Sequence, residues 1–350
     1  MSLQHPPCFF GEILFDVFHN GREVLGGAPF NVAWHLQGFG LKPLLISRVG
    51  ADDAGERIRA AMAAWGMRLD GLQTDPVHPT GRVTVSLREG EPSFDIVSDS
   101  AWDFIAADEL PDLIPALVYH GSLALRNPVS AAALDALLAR RGAGPTAHQA
   151  DSAAPGLGLA GRFPGAAANP LPAARPVGNR ARPLRFVDVN LRPPWWRAEE
   201  VRRLLDGADW AKLNQDELAW LAPAPGLDAN STPGPGAAIA RAAGTLRARH
   251  GLAGLVLTRG AAGALALLAS GETARVSPAP APLVDAVGAG DAFAAVTLLG
   301  LLRDWPLSLT LERAQTFASR IVQLRGATAP DPALYQDLRL AWGLGSIHLT

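Results

Sequence analysis

Asp285-Ala286-Val287-Gly288-Ala289-Gly290-Asp291-Ala292-Phe293 is a turn of small residues that ends in an acid. The apolar run behind it, 292–302, has the length of a helix. Such a turn aims several backbone N–H groups at one spot, and the start of the helix adds partial positive charge there. Gly288, Ala289 and Gly290 therefore read as an anion site. A carboxylate beside an anion site repels the anion unless it has a task. Two readings of Asp291 follow. It either takes a proton from a hydroxyl that attacks phosphorus, or it caps the helix.

The rest of the chain bounds the choice. With 350 residues it can bury one large core or two modest ones. The formal net charge is −2 and no basic block occurs, which argues against a nucleic-acid partner. A lone cysteine, Cys8, leaves no intramolecular disulfide and points to a reducing, cytoplasmic setting. Residues 1–10 lack the basic start and apolar stretch of a signal peptide. No window of about 18 apolar residues is free of charge or proline, so no membrane span is expected.

Strand and helix patterns alternate, which predicts an α/β fold. Strands are expected at 9–15, 44–49, 116–120, 186–189, 210–213, 255–258 and 263–268. Helices are expected at 31–37, 54–65, 131–140, 199–205, 215–221, from 299 onward and at 311–324. Residues 82–87 and 93–97 break the rhythm. They read as a β-hairpin, polar on one face, at about 80–98, either a lid over a cleft or a plain surface hairpin. Segment 141–183 is rich in Gly, Pro and Ala without periodicity and reads as a disordered insertion in a single domain. The stretch 223–236 reads as a second, shorter flexible loop.

Further motifs carry chemistry. Gly26-Gly27-Ala28-Pro29-Phe30-Asn31 lets backbone approach a ligand, and Asn31 offers both a donor and an acceptor to hydroxyls. Asp16, placed just past the first strand, can accept from two hydroxyls. Arg192, in Asp188-Val189-Asn190-Leu191-Arg192, leaves a strand end with a planar fork for phosphate or substrate oxygens. Asn214 and Glu217 share one side of a first helical turn and suit hydrated Mg²⁺, with ordinary capping as the competing reading. Thr258, Gly260 and Gly263 can receive nucleotide phosphates or form a plain turn.

In this order and spacing, the motifs resemble the PfkB (ribokinase-like) carbohydrate kinase family from about residue 9 to 327, the insertion excepted. Gly-Gly-Ala-Pro-x-Asn and Asp-x-Asn-x-Arg are similar to its fructokinase branch. The resemblance implies a ribokinase-like three-layer α/β/α fold with a mostly parallel central sheet and a small β-sheet lid. It implies transfer of the γ-phosphoryl of MgATP to a primary hydroxyl of a sugar, fructose first. The alternatives are a 2-keto-3-deoxygluconate, ribose or nucleoside kinase, or a sugar-binding protein without catalysis. By resemblance, Asp291 is the base and residues 288–290 hold the transferring phosphoryl group. Asp16, Gly26, Gly27, Asn31 and Arg192 hold the sugar. Asn214 and Glu217 order Mg²⁺ through water, and Thr258, Gly260 and Gly263 lie along ATP. Ala286 departs from the family threonine, which bears on a phosphate contact or on a monovalent cation such as K⁺. A homodimer through the lid, with Val83, Val85 and Leu87 at its interface, is a further expectation of the resemblance.

Overall fold

The computed structural model describes residues 5–88, 91–141, 182–223, 236–279 and 282–345; for 85–88 and 91–94 it describes backbone only. Nearly all of the expected insertion at 141–183 and of the loop at 223–236 lies outside the described residues.

The first apolar run is two strands. β1 (Pro7–Phe10) ends at Gly11, and the chain resumes as β2 (Leu14–Phe18) in a different sheet. Gly11 has φ 143°, and a Cβ on it would stand 2.8 Å from Pro29 Cγ, so only glycine fits this break. The single strand expected at 9–15 is corrected accordingly.

Then follow β3 (Glu23–Gly26), α1 (Ala28–Gly38), β4 (Leu44–Gly50), α2 (Asp53–Ala64), β5 (Leu72–Asp75), β6 (Gly81–Arg88), β7 (Glu91–Ile96) and β8 (Leu117–His120). The chain continues through α3 (Pro128–Ala139), β9 (Leu184–Asp188), α4 (Ala198–Asp206), β10 (Trp210–Asn214), α5 (Gln215–Leu221), α6 (Gly236–Arg249) and β11 (Gly254–Thr258). It closes with β12 (Ala264–Leu268), β13 (Thr273–Val276), α7 (Ala289–Leu302), α8 (Leu307–Ile321) and α9 (Pro332–Ala341).

A nine-stranded sheet has the order β13-β12-β11-β10-β9-β8-β1-β4-β5. Pairing is parallel from β5 through β11, and β12 and β13 add antiparallel. The chain leaves β1 toward β4 and β5, then returns on the other side at β8. The strand order therefore reverses between β1 and β8, where such sheets open a crevice at their carboxyl ends.

Successive side chains of a strand point to opposite faces, and both faces are covered. Phe9, Tyr119, Phe186, Trp210 and Val256 pack with α1, α2, α7 and α8. On the opposite face Cys8, Phe10 and Val118 pack with α3, while Val187, Ala211 and Leu255 pack with α4 and α6. The result is the expected α/β/α layering. No helix among the described residues is long and apolar enough to cross a membrane.

A four-stranded sheet, β3-β2-β6-β7, stands apart. The hairpin expected at 80–98 is its β6–β7 half; β2 and β3 supply the rest. Asp16 is therefore a residue of β2 within this sheet, not one just past the first strand. Val83 is buried against Leu14, Ile96 and Trp102 of its own chain. The side chains of Val85 and Leu87 lie outside the described residues.

Candidate active site

Gly288 is the N-cap of α7 in the left-handed region, φ 79°. A Cβ there would stand 2.4 Å from Ala327 Cα, so backbone crowding as well as conformation calls for glycine. The Ala289 N–H donates to Ala286 O at 3.3 Å. Those of Gly290 and Asp291, in the first turn, have no intrahelical acceptor and remain open to an anion. A Cβ on Gly290 would meet only Lys212 Nζ, at 3.6 Å. An ammonium thus borders the turn.

Asp291 is half-buried, and Asn31 Nδ2 donates to its Oδ2 at 2.8 Å. This bond joins two motifs that are 260 residues apart in the chain. It forms because the N-termini of α1 and α7 meet over the β1–β8 crevice. Burial raises the Asp291 carboxyl to about 6; Asp188 adds to the rise, while Asn31, Lys212 and Arg192 oppose it.

Gly27 caps α1 with φ 116°, and a Cβ on it would sit 2.4 Å from Glu12 O. Glu12, 2% exposed, also accepts from Ala28 N at 3.3 Å through Oε1, while its Oε2 has no protein partner. Burial pushes its carboxyl to about 7. Gly26 faces Asp16, whose Oδ2 would lie 3.1 Å from an added Cβ. Burial raises Asp16 to about 6 as well. Arg192 is exposed, and its charge opposes the rise at Glu12, Asp16 and Asp291 alike.

Beneath the anion turn lies a buried polar row. Lys212 Nζ donates to both oxygens of Asp188, at 3.0 and 2.8 Å, and Tyr119 Oη donates to Asp188 Oδ2 at 2.9 Å. These residues continue the Tyr119–Phe186–Trp210 ring ladder toward the carboxyl ends of the strands. Burial alone would lower the Lys212 ammonium, but Asp188 outweighs it and holds Lys212 above its ordinary value. Lys212 and Glu12 were not expected in the site. For Lys212 the signal was there: it is a charged residue inside an otherwise apolar strand run.

Asn214 and Glu217 form a reciprocal capping box: Glu217 N donates to Asn214 Oδ1 at 2.8 Å and Asn214 N to Glu217 Oε2 at 2.7 Å. Glu217 Oε1 accepts from Leu191 N at 2.8 Å. The capping reading is thus realised, and both carboxylate oxygens are engaged by backbone. Among the described residues no cluster of His, Cys, Asp and Glu could hold a metal alone. Thr258 ends β11 beside Asn214, in register with it. Gly260 is open to solvent at φ 53°, whereas Gly263 is required structurally, since a Cβ would lie 1.9 Å from Val276 O. Asp285 binds two segments together, accepting from Val287 N at 3.0 Å and from Gly326 N at 3.0 Å, and Ala286 beside it is exposed.

The model of the pfkB family carbohydrate kinases matches residues 16–140 and 169–334, leaving 141–168 unmatched. Fructokinase of Klebsiella pneumoniae is 28% identical over 344 residues, covering 93% of this chain and 95% of its own. A Vibrio cholerae O395 fructokinase double mutant, solved with fructose, ADP and potassium ion, superposes with TM-score 0.70 at 22% identity, covering 96% and 99% of the two chains. Aminoimidazole riboside kinase of Salmonella enterica, solved with its riboside and an ATP analog, superposes with TM-score 0.69 at 21% identity, covering 96% and 100%. The architecture is therefore ribokinase-like.

Proposed function

Because the chain belongs to the pfkB family of carbohydrate kinases, we propose that it transfers the γ-phosphoryl group of MgATP to the 6-hydroxyl of fructose. The observation that carries this reading is the 2.8 Å bond from Asn31 to Asp291. It brings the hydroxyl-binding motif and the acid of the anion turn to one point, as a phosphorylated hydroxyl requires.

The sugar sits between β2, the N-terminus of α1 and the strand exit that carries Arg192. Asp16 accepts from its hydroxyls, Asn31 fixes a further one, and Gly26 and Gly27 allow close approach. Asp291 is ionised above its value of about 6 and takes the proton of the attacking hydroxyl. Asn31 holds the carboxylate in the orientation this needs. The open N–H groups at the start of α7 face the charge that develops on the phosphoryl oxygens, each worth roughly 3–4 kcal/mol of barrier. Lys212, fixed by Asp188, adds a positive charge from below.

Mg²⁺ bound with ATP would offset phosphate charge and keep several of its waters. Asn214 and Glu217 would act on it through water, because both Glu217 oxygens already accept backbone N–H groups. Thr258 and Gly260 would border the nucleotide. A monovalent cation such as K⁺ would gain no hydroxyl from Ala286. The small sheet closes over the sugar and excludes water, which would otherwise accept the phosphoryl group. Cytoplasm, where ATP is at hand, is the setting for this chemistry.

An ADP-release assay with a panel of sugars tests the substrate. Fructose should give the highest kcat/KM. A preference for an acidic keto sugar would instead assign Arg192 to a carboxylate and replace fructose.

A further inference from the structure

We infer that Arg126 is a positioning residue for the sugar: it locks the root of the small sheet to the loop that carries Arg192. Arg126 ends the short turn Leu123–Arg126 behind β8, at the rim of the β1–β8 crevice. Its Nε and Nη2 donate to Asp103 Oδ1 and Oδ2, each at 2.7 Å, and Nη2 also donates to Val97 O at 2.7 Å. Its guanidinium carbon lies 4.3 Å from the Trp102 ring centroid and 4.4 Å from that of Trp195. The ion pair is buried, with side chains 7% and 2% exposed.

Its partners belong to two parts of the site, the β6–β7 hairpin and the loop after β9. Val97 directly follows β7, and Trp102 packs on Gly81, the first residue of β6, where a Cβ would lie 2.3 Å from its Nε1. These are the two chain ends of the β6–β7 hairpin. β6 pairs with β2 so that Val83 stands opposite Asp16. Trp195 lies in the turn that leaves Arg192, its N–H donating to Arg192 O at 2.8 Å. One planar fork, stacked between two indoles, therefore sets Asp16 and Arg192 relative to each other. The opposite edge of the small sheet is held differently. There Glu23 of β3 pairs with Arg57 of α2 and Arg82 of β6, both arginines about half exposed. Exposed pairs hold weakly and are screened by salt. The buried Arg126 corner is the fixed pivot, and the β3 edge is the one that yields.

The inference rests on the sugar-kinase reading. Lysine at 126 would keep charge and stem but not the fork, which binds Asp103 and Val97 while stacking. Arg126→Lys should raise the KM for fructose about tenfold while KM for ATP stays within about twofold. Asp103→Asn, which keeps volume and one acceptor, should shift fructose KM in the same direction by less and guards against a variant that fails to fold. A purely structural role predicts a lower melting temperature with both KM values unchanged, and that result would overturn the inference. Equal rises in both KM values would overturn it too. If the parent protein phosphorylates no sugar, the sugar-kinase reading fails, whereas an active parent with an indifferent Arg126→Lys removes this inference alone.

Discussion

As the proposed base, Asp291 sits where two demands meet: accepting a proton requires it to be ionised, yet it lies in a half-buried site that favours its neutral form. The compromise is a carboxyl near 6. Activity should therefore rise with pH through about 6 in a kcat/KM profile. Glu12 has the same sign with less solvent. Its folded value of about 7 lies above the ordinary 4.5, so the folded chain binds this proton more tightly than the unfolded chain. The stability it contributes is full below its ordinary value and is lost as pH rises through about 7. Glu12→Gln removes that dependence. In urea melts the variant should gain on the parent between pH 5 and pH 8, and a constant difference would refute the assignment. The place of Asp291 beside the anion turn was visible in the sequence because a turn of small residues and an acid adjoin. That of Glu12 was not, because an acid in an apolar run gives no hint that it lies behind Gly27.

At the level of elements, α7 and β10 carry the largest penalties. Gly288→Ala puts a methyl 2.4 Å from Ala327 Cα and an alanine at positive φ. It should lower the melting temperature and ATP affinity together, while Gly290→Ala, which meets only Lys212 Nζ at 3.6 Å, should spare the fold. Lys212→Met strands Asp188 in the core and should cost about 3–5 kcal/mol in denaturant unfolding. Most elements were legible from their periodicity. The short β3, β5 and β13, of four residues each, were not, because so few residues cannot show an alternation above chance. α6 escaped for a different reason: its apolar stripe, Ile239, Ala242, Ala243 and Leu246, is half alanine. Asn214 and Glu217 could be read as cap or cation site, and the coordinates of the carboxylate, not the spacing, show that the cap is made.

Over the whole molecule, strand order explains why residues from 12 to 291 converge. The connections that leave β1 and β8 run to opposite sides of the sheet at the reversal point, and α1 and α7 begin above it. The alternation of strands and helices foretold the layers. It could not foretell that the small sheet takes β2 from the first apolar run, since that depends on one glycine, Gly11, at φ 143°. A fold divided between two sheets around its site should tighten when the site fills. Fructose with a non-hydrolysable ATP analogue should raise the melting temperature more than either alone, by an amount that grows with ligand concentration.

Sugar-dependent ADP release by Asp291→Asn, beside the parent and at saturating fructose and MgATP, tests the central claim most directly. The account predicts that turnover falls by about 10²–10⁴-fold while ATP binding and the melting temperature stay close to those of the parent. Turnover within a few-fold of the parent would contradict it and leave Asp291 without the role of base.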